Sequence, residues 1–116
     1  MIRPEKVKFM ILAADMKRAV RFYKSVFGLD EIFVSDFWSE LAHGTAVIAF
    51  HGGHDGSPNS TGLSFQFEDV FDAAERIEKA GGTVLEVPNQ RDGEPILLGR
   101  YRDPEGNEGF ITQYAG

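Results

Sequence analysis

The chain contains one strand–helix unit twice, and this repeat limits the folds that are open to it. In each copy an apolar run precedes an aspartate, an amphipathic stretch follows, and the stretch ends at a glycine. Asp69 follows Asp15 by 54 positions, and Gly82 follows Gly28 by the same offset. A fixed offset between similar segments is typical of internal repeats. The pattern therefore predicts two tandem βα units.

The first unit shows the signals most clearly. The apolar run 7–13 is long enough for a strand and too short for a typical helix. Asp15 is placed to accept a hydrogen bond from a free N–H of the first helical turn, and Gly28 supplies the left-handed conformation that ends many helices. Between them an apolar stripe recurs at spacings of three and four, typical of an amphipathic helix: Met16, Ala19, Val20, Tyr23, Val26 and Phe27.

Three more strands are predicted after each helix. They lie at 31–35, 37–42 and 45–51 in the first half and at 83–87, 96–102 and 108–114 in the second. The turn formers of residues 52–60 separate the halves, and Asp103-Pro104-Glu105-Gly106 has the composition of a type I turn. We predict an α+β fold: one domain, 1–116, made of two βαβββ modules at about 5–52 and 61–116.

Alternation along the first strand of each module assigns side chains to two faces. Phe9, Ile11 and Ala13 are expected beneath the first helix, and Leu63, Phe65 and Phe67 occupy the matching face of the second module. The opposite faces carry more polar side chains, and we expect them to be concave and suited to a ligand: Lys8, Met10 and Leu12 in the first module, Ser64 and Gln66 in the second.

Composition excludes several classes of function. The net charge of −6 disfavours nucleic acid as a partner, because phosphate contacts need clustered Lys and Arg. No apolar run is long enough to span a membrane, and the first residues lack a signal-peptide core. The absence of cysteine excludes disulfides and thiolate ligands and suits a cytoplasmic location, which we expect.

Three segments together resemble the glyoxalase / bleomycin-resistance / extradiol-dioxygenase superfamily, also called vicinal oxygen chelate. They are ILAADMKRAVRFYKSVFGL, its repeat LSFQFEDVFDAAERIEKAGG, and the closing DPEGNEGFI. The resemblance implies a curved, cupped mixed sheet with helices on its convex side. It also implies a homodimer with a site in each cup. It says less about function, because the fold carries metalloenzymes and metal-free binding proteins alike.

In catalytic members of the superfamily, four side chains from four strands (His, Gln or Glu) hold a divalent metal. The resemblance places these positions at Lys8, Ala49, Gly62 and Phe110. A protonated lysine offers donors and no lone pair, and Ala, Gly and Phe have no ligating side-chain atom. We therefore expect no metal, no cofactor and no catalytic residue of the usual kind.

The leading hypothesis is a metal-independent protein that binds a small organic molecule, sequestering an antibiotic or a metabolite. Trp38 or the adjacent Phe37 could stack on a ring, and one of these two is expected in the core. Arg100 could meet an anionic ligand, but we favour its pairing with a glutamate. The residues predicted to line the site are Lys8, Met10, Leu12, Trp38, Ser64, Gln66 and Phe110.

Two alternatives remain open. One is an enzyme of the lyase, isomerase, thiol transferase or dioxygenase type, using Lys8 or a metal relocated to His51, His54 and Asp55. The other is a structural dimerisation domain in which Phe110 fills the cavity. Stoichiometric metal would indicate the first alternative, and a dimer without a cavity would indicate the second.

Overall fold

The predicted order of elements is confirmed by the computed structural model, which describes residues 1–116. Both modules read strand, helix and three strands. The first contains β1 (Lys8–Ala13), α1 (Met16–Phe27), β2 (Asp30–Phe33), β3 (Trp38–His43) and β4 (Ala46–Gly52). The second contains β5 (Asn59–Gln66), α2 (Val70–Lys79), β6 (Thr83–Gln90), β7 (Ile96–Arg102) and β8 (Asn107–Tyr114).

Each module forms a four-stranded mixed sheet. The strand orders are β1-β4-β3-β2 and β5-β8-β7-β6, so the first strand of each module is an edge strand. In each sheet this edge strand runs parallel to the last strand of its module, and the other pairs are antiparallel. The identical topology is the structural counterpart of the sequence repeat.

The predicted helix caps are present. The Asp15 carboxylate accepts the Arg18 N–H at 3.1 Å, and Asp69 caps α2 by the same device. Gly28 has φ 64°, and its N–H donates to the Lys24 carbonyl, which ends α1. Both helices therefore begin at an aspartate cap; α1 ends at the predicted glycine, whereas α2 ends at Lys79, with Ala80 as its C-cap ahead of the glycine pair.

Two segments differ from the prediction. Strand β5 starts at Asn59, so the loop between the modules is shorter than residues 52–60. Strand β6 continues to Gln90 through the buried Pro88, where a loop was expected. Proline is tolerated there because β6 is an edge strand and its pairing with β7 is interrupted between Glu86 and Asn89.

One hydrophobic core joins the two modules. Ile11 and Ala13 are buried as predicted, whereas Phe9 remains 37% exposed. The ring of Phe27, at the end of α1, stacks on Phe65 of β5 with centroids 4.1 Å apart. The first helix thus covers part of the second module as well as its own.

The turn between β7 and β8 holds the modules together through hydrogen bonds. The Gly106 N–H donates to the Asp103 carbonyl, as expected for the predicted turn. Glu105 is fully buried and accepts hydrogen bonds from the N–H groups of Ala14 and Asp15 at 2.9 and 2.7 Å. Its other carboxylate oxygen lies 2.7 Å from Nε of Arg18. This contact raises the pKa of Arg18.

A second set of contacts lies beside Glu105. The Asn107 side chain accepts the Leu12 N–H at 2.9 Å and donates to the Leu12 carbonyl at 2.6 Å, so it pairs with β1 as a neighbouring strand would. The Tyr23 hydroxyl donates to Asp103 at 2.7 Å. Burial raises the pKa of both Tyr23 and Asp103.

No helix has the length and apolarity needed to cross a lipid bilayer.

Candidate functional site

The side of each sheet that faces away from the helices carries the predicted site residues. We call these surfaces the first and second open faces. Strand register defines their members, because residues that are paired across neighbouring strands point to the same side. The first open face comprises Lys8, Met10 and Leu12 of β1, Ala49 and His51 of β4, and Trp38 and Glu40 of β3. The second comprises Ser64 and Gln66 of β5, Phe110 and Thr112 of β8, and Leu98 and Arg100 of β7.

Glu40 organises the first open face. It is only 8% exposed, and one of its carboxylate oxygens accepts hydrogen bonds from Nζ of Lys8 and from Nε1 of Trp38, both at 2.8 Å. The hydrogen bond from Lys8, followed by that from Trp38, lowers the pKa of Glu40. The ammonium of Lys8 therefore has a carboxylate partner inside the protein, which reduces its capacity to neutralise a ligand anion.

Sequence reasoning did not single out Glu40. A signal was available in its spacing, because Glu40 lies two residues after Trp38 and alternation places both on one face of the strand. The pairing with Lys8 depends on β4, which lies between β1 and β3. Only the sheet topology brings these side chains together.

The aromatic residues at the start of β3 differ from the prediction. Phe37 precedes the strand and is 83% exposed, whereas Trp38 is half-buried and lies edge-on to His51 with ring centroids 6.3 Å apart. The expectation that one of them belongs to the core is therefore wrong. The core positions of this strand are Ser39 and Leu41, which point to the helix side. Trp38 remains available as one wall of the first open face.

The second open face combines an aromatic ring with polar groups. Ser64 is paired with Phe110 across β5 and β8, and Phe110 with Arg100 across β8 and β7. Ser64 and Gln66 are exposed, and Phe110 is half-buried. This row of side chains offers an apolar surface with hydrogen-bonding groups on both sides.

Two arginines share one carboxylate on this face. Arg102 donates to one oxygen of Glu108 from Nε at 3.0 Å and from Nη2 at 2.7 Å. Arg100 reaches the other oxygen through Nη2 alone, at 3.3 Å. The predicted pairing of Arg100 with a glutamate is confirmed, although the contact is long.

Three of the four positions that the family resemblance assigns to metal ligands lie on these two faces. Lys8 and Ala49 belong to the first and Phe110 to the second, while Gly62 lies two residues before Ser64, where the pairing of β5 with β8 is interrupted. The two positions of each module are arranged in the same way. Ala49 is paired with Met10, which lies two residues after Lys8, and Phe110 is paired with Ser64, which lies two residues after Gly62. The donor chemistry of these four side chains does not fit a divalent cation.

The relocated metal site considered as an alternative is not assembled. His51 Nδ1 lies 2.7 Å from the Gly52 carbonyl oxygen, and His54 Nε2 lies 2.8 Å from that of Ser57. The Asp55 carboxylate accepts hydrogen bonds from Ser57, which lower its pKa. No three His, Asp or Glu side chains of the chain lie together in an arrangement that could hold a metal ion.

The single chain also contains an apolar cavity of about 410 Å³ between the end of α1, the β3–β4 turn and β5. Ser64 and Gln66 lie on its rim, together with His43. Its apolar lining includes Phe27, Leu29, Ile48, Leu63, Phe65 and Phe67. The structure thus groups Ser64 and Gln66 at the border between this cavity and the second open face.

The family model of the Glyoxalase/Bleomycin resistance protein/Dioxygenase superfamily matches residues 7–108. The chain belongs to this superfamily. The match includes the two strand–helix units and the β7–β8 turn that carried the resemblance in the sequence, and it ends at the second residue of β8. No functionally curated protein matches the chain.

Solved structures agree with the superfamily fold. A glyoxalase-related enzyme from Fulvimarina pelagi is 20% identical, with TM-score 0.78 and coverage of 95% of this chain and 88% of that one. A genomically encoded fosfomycin resistance protein from Listeria monocytogenes is 16% identical, with TM-score 0.79 and coverage of 97% and 94%. A virulence protein from Salmonella typhimurium is 26% identical, with TM-score 0.71 and coverage of 98% and 99%. At the identities of the first two, the likeness concerns the fold alone.

Proposed function

We propose that this superfamily member is a metal-independent protein that binds a small organic molecule on its open faces. Lys8, Met10, Leu12 and Trp38 would contact the ligand from the first face, and Ser64, Gln66 and Phe110 from the second. The role is sequestration of an antibiotic or a metabolite without chemical change, and the proposed location is the cytoplasm.

One observation carries this proposal: the side chains at the four metal-ligand positions. Alanine, glycine and phenylalanine have no ligating atom at Ala49, Gly62 and Phe110, and the Lys8 ammonium donates to Glu40 at 2.8 Å. Phe110 also adds apolar surface where a catalytic member would present a polar ligand. These replacements favour apolar contact with an organic molecule over coordination of an ion.

The remaining side chains of the faces support the same conclusion. Met10 is 50% exposed, and its flexible thioether adapts to varied apolar shapes. The half-buried Trp38 can stack on a flat ring while its N–H stays bonded to Glu40. The carboxylate of Glu40 and the hydroxyl of Ser64 can orient polar groups of the ligand. Few polar groups among apolar walls is the usual composition of a small-molecule site.

The proposal includes a homodimer, as the superfamily resemblance implies. The single chain exposes large apolar side chains that a second copy would cover, among them Val7 at 75%, Phe33 at 54% and Tyr114 at 60%. Neither open face of the single chain is enclosed, because Lys8, Met10, Ser64 and Gln66 are all exposed. A partner copy would complete the walls of a cup. Sedimentation equilibrium tests this part of the proposal, with twice the mass of 12.9 kDa as the expected result.

The binding role is tested with protein stripped of metal by a chelator. A library of aromatic and amphipathic small molecules is screened by the shift in thermal unfolding midpoint, and hits are measured by calorimetry. We expect saturable binding that is unchanged by added Zn²⁺, Mn²⁺ or chelator, and mass spectrometry should recover the ligand intact. Phe110→Ala should weaken binding about tenfold or more, because burial of a large aromatic contact is lost.

Phe71→Ala is the matched control, because Phe71 is a 49% exposed phenylalanine on α2, outside both open faces. It should leave affinity unchanged. Stoichiometric metal that the chain retains, or conversion of the ligand during incubation, would contradict the proposal and favour the enzyme alternative. A dimer for which the library gives no ligand, and whose Phe110→Ala variant gains a cavity that binds one, would favour the structural alternative.

A further inference from the structure

Positive charge on the open faces is concentrated on β7. On the first face the Lys8 ammonium lies 2.8 Å from Glu40, which is itself almost fully buried. A ligand anion near Lys8 would have to compete with this carboxylate. On the second face Arg100 and Arg102 share Glu108, so the two guanidinium groups meet a single carboxylate.

Arg100 is the less engaged of the two arginines. A guanidinium carries five N–H donors. Arg102 directs two of its donors to Glu108 at 3.0 and 2.7 Å, whereas Arg100 directs one, at 3.3 Å. The Arg100 side chain is 38% exposed, so its remaining donors can be reached from solvent. Glu86 is paired with Arg100 across β6 and β7, but its carboxylate lies 3.6 Å from Arg91 instead.

The local charge balance is positive on a negative protein. Arg100 and Arg102 together carry one positive charge more than the Glu108 that they share, whereas the whole chain carries −6. One excess positive charge fits a monoanion better than a doubly charged phosphate. The planar fork of a guanidinium matches the geometry of a carboxylate, with which it can form two parallel hydrogen bonds.

Apolar surface lies directly beside these donors. Phe110 is paired with Arg100, and Ser64 follows in the same row across the sheet. A ligand that lays an apolar body on the ring of Phe110 would therefore hold a carboxylate within reach of Arg100.

We propose that the second open face recognises organic carboxylates with an apolar or aromatic body, and that Arg100 rather than Lys8 binds the carboxylate. This inference rests on the proposed binding function and specifies its ligand class. Ser64 and Phe110 supply the neighbouring hydrogen bond and the apolar contact, and Glu108 orients the two arginines while limiting their net charge.

The test uses 2-naphthoate and its neutral analogue 2-naphthamide with the full chain, measured by calorimetry and by NMR shift changes at the Phe110 and Ser64 amides. At low ionic strength we expect 2-naphthoate to bind about tenfold more tightly than the amide. This ratio of affinities should fall with added salt, because salt screens the contact between the partly exposed Arg100 and the ligand carboxylate. Arg100→Gln should reduce the ratio to about one by weakening 2-naphthoate only, and Arg100→Lys should restore part of it.

Two further variants separate recognition from general disruption. Lys79→Gln, at an exposed position on α2 outside both open faces, should leave the ratio unchanged. Glu108→Gln should raise it a few-fold, because the competing carboxylate is removed, and a merely damaged fold would not bind more tightly. A ratio that survives Arg100→Gln but is lost in Lys8→Gln would overturn the inference, as would equal binding of the two probes to the unmodified chain.

The failure of this inference is distinguishable from failure of the proposed function. Equal binding of both probes, with shift changes at Phe110, would leave the binding role standing and refute the carboxylate preference. Absence of binding by either probe also refutes the inference, and the separate library screen then decides the binding role.

Discussion

Glu105 is expected to be the side chain whose charge contributes most to stability, because it joins the modules from a fully buried position. In Glu105→Gln the remaining carbonyl oxygen can still accept the N–H groups of Ala14 and Asp15. The contact with Nε of Arg18, at 2.7 Å, is lost, and an amide N–H faces the guanidinium instead. A hydrogen bond between charged groups contributes about 1.5–3 kcal/mol. Because the Arg18 side chain is 42% exposed and therefore screened, we expect the lower part of this range, about 2 kcal/mol.

The consequence is measurable by urea unfolding, followed through the fluorescence of Trp38, the only tryptophan, and through circular dichroism. For a chain of this length, a loss of 2 kcal/mol also corresponds to a fall of about 8 °C in the thermal unfolding midpoint. Glu105→Ala also strands two backbone N–H groups and should cost about 3–4 kcal/mol.

Glu31→Gln provides the matched control. Its ion pair with Lys24 has almost the same length, 2.8 Å against 2.7 Å, but both side chains are about half exposed. We expect a change of no more than about 0.5 kcal/mol. Equal losses in Glu105→Gln and Glu31→Gln would refute the reasoning that burial gives the Glu105 contact its strength.

Two further predictions concern the same turn. Because burial raises the pKa of Asp103, the folded state binds its proton more readily than the unfolded state, whose pKa is about 3.9. The stability that Asp103 contributes is therefore fully present below about pH 4 and is lost as pH rises through the raised pKa. Urea unfolding from pH 3 to 7 should show the unmodified chain losing stability relative to Asp103→Asn. A difference in free energy of unfolding that stays constant over this pH range would contradict the prediction. Gly106→Ala should lower the free energy of unfolding by at least about 3 kcal/mol, because φ is 103° and the new Cβ would collide with the Ser57 carbonyl oxygen. Gly93 provides the control, since it has φ 75° but open space around it. Gly93→Ala should lower the free energy of unfolding by about 1 kcal/mol in the same assay.

The architecture was predictable because local signals and the repeat agree. The caps at Asp15 and Asp69 and the left-handed Gly28 each act within one turn of a helix, so they can be recognised without knowledge of the tertiary structure. The length of strand β6 was harder to predict, since a proline normally ends a strand. Pro88 is accommodated here only because β6 lies at the sheet edge.

The candidate site was predictable only in part. Alternation along β1 and β5 assigned Lys8, Met10, Ser64 and Gln66 to the open faces, because alternation is a property of a single strand. The partner of Lys8 could not be found in this way, since Glu40 lies on another strand and is brought near by β4. Arg100 was recognised as one half of an ion pair. Arg102 makes two of the three hydrogen bonds to the shared Glu108, and this depends on the detailed geometry of two neighbouring strands.

The β7–β8 turn also bears on how the chain can acquire its structure during synthesis. Residues 103–107 leave the ribosome roughly 90 residues after their partners Leu12, Ala14, Asp15 and Arg18. Until then the amino-terminal half lacks the groups that satisfy its strand edge and its helix start. We therefore expect this half to remain dependent on chaperones, or on rapid synthesis of the second module, and to become protease-resistant only when β7 and β8 are in place.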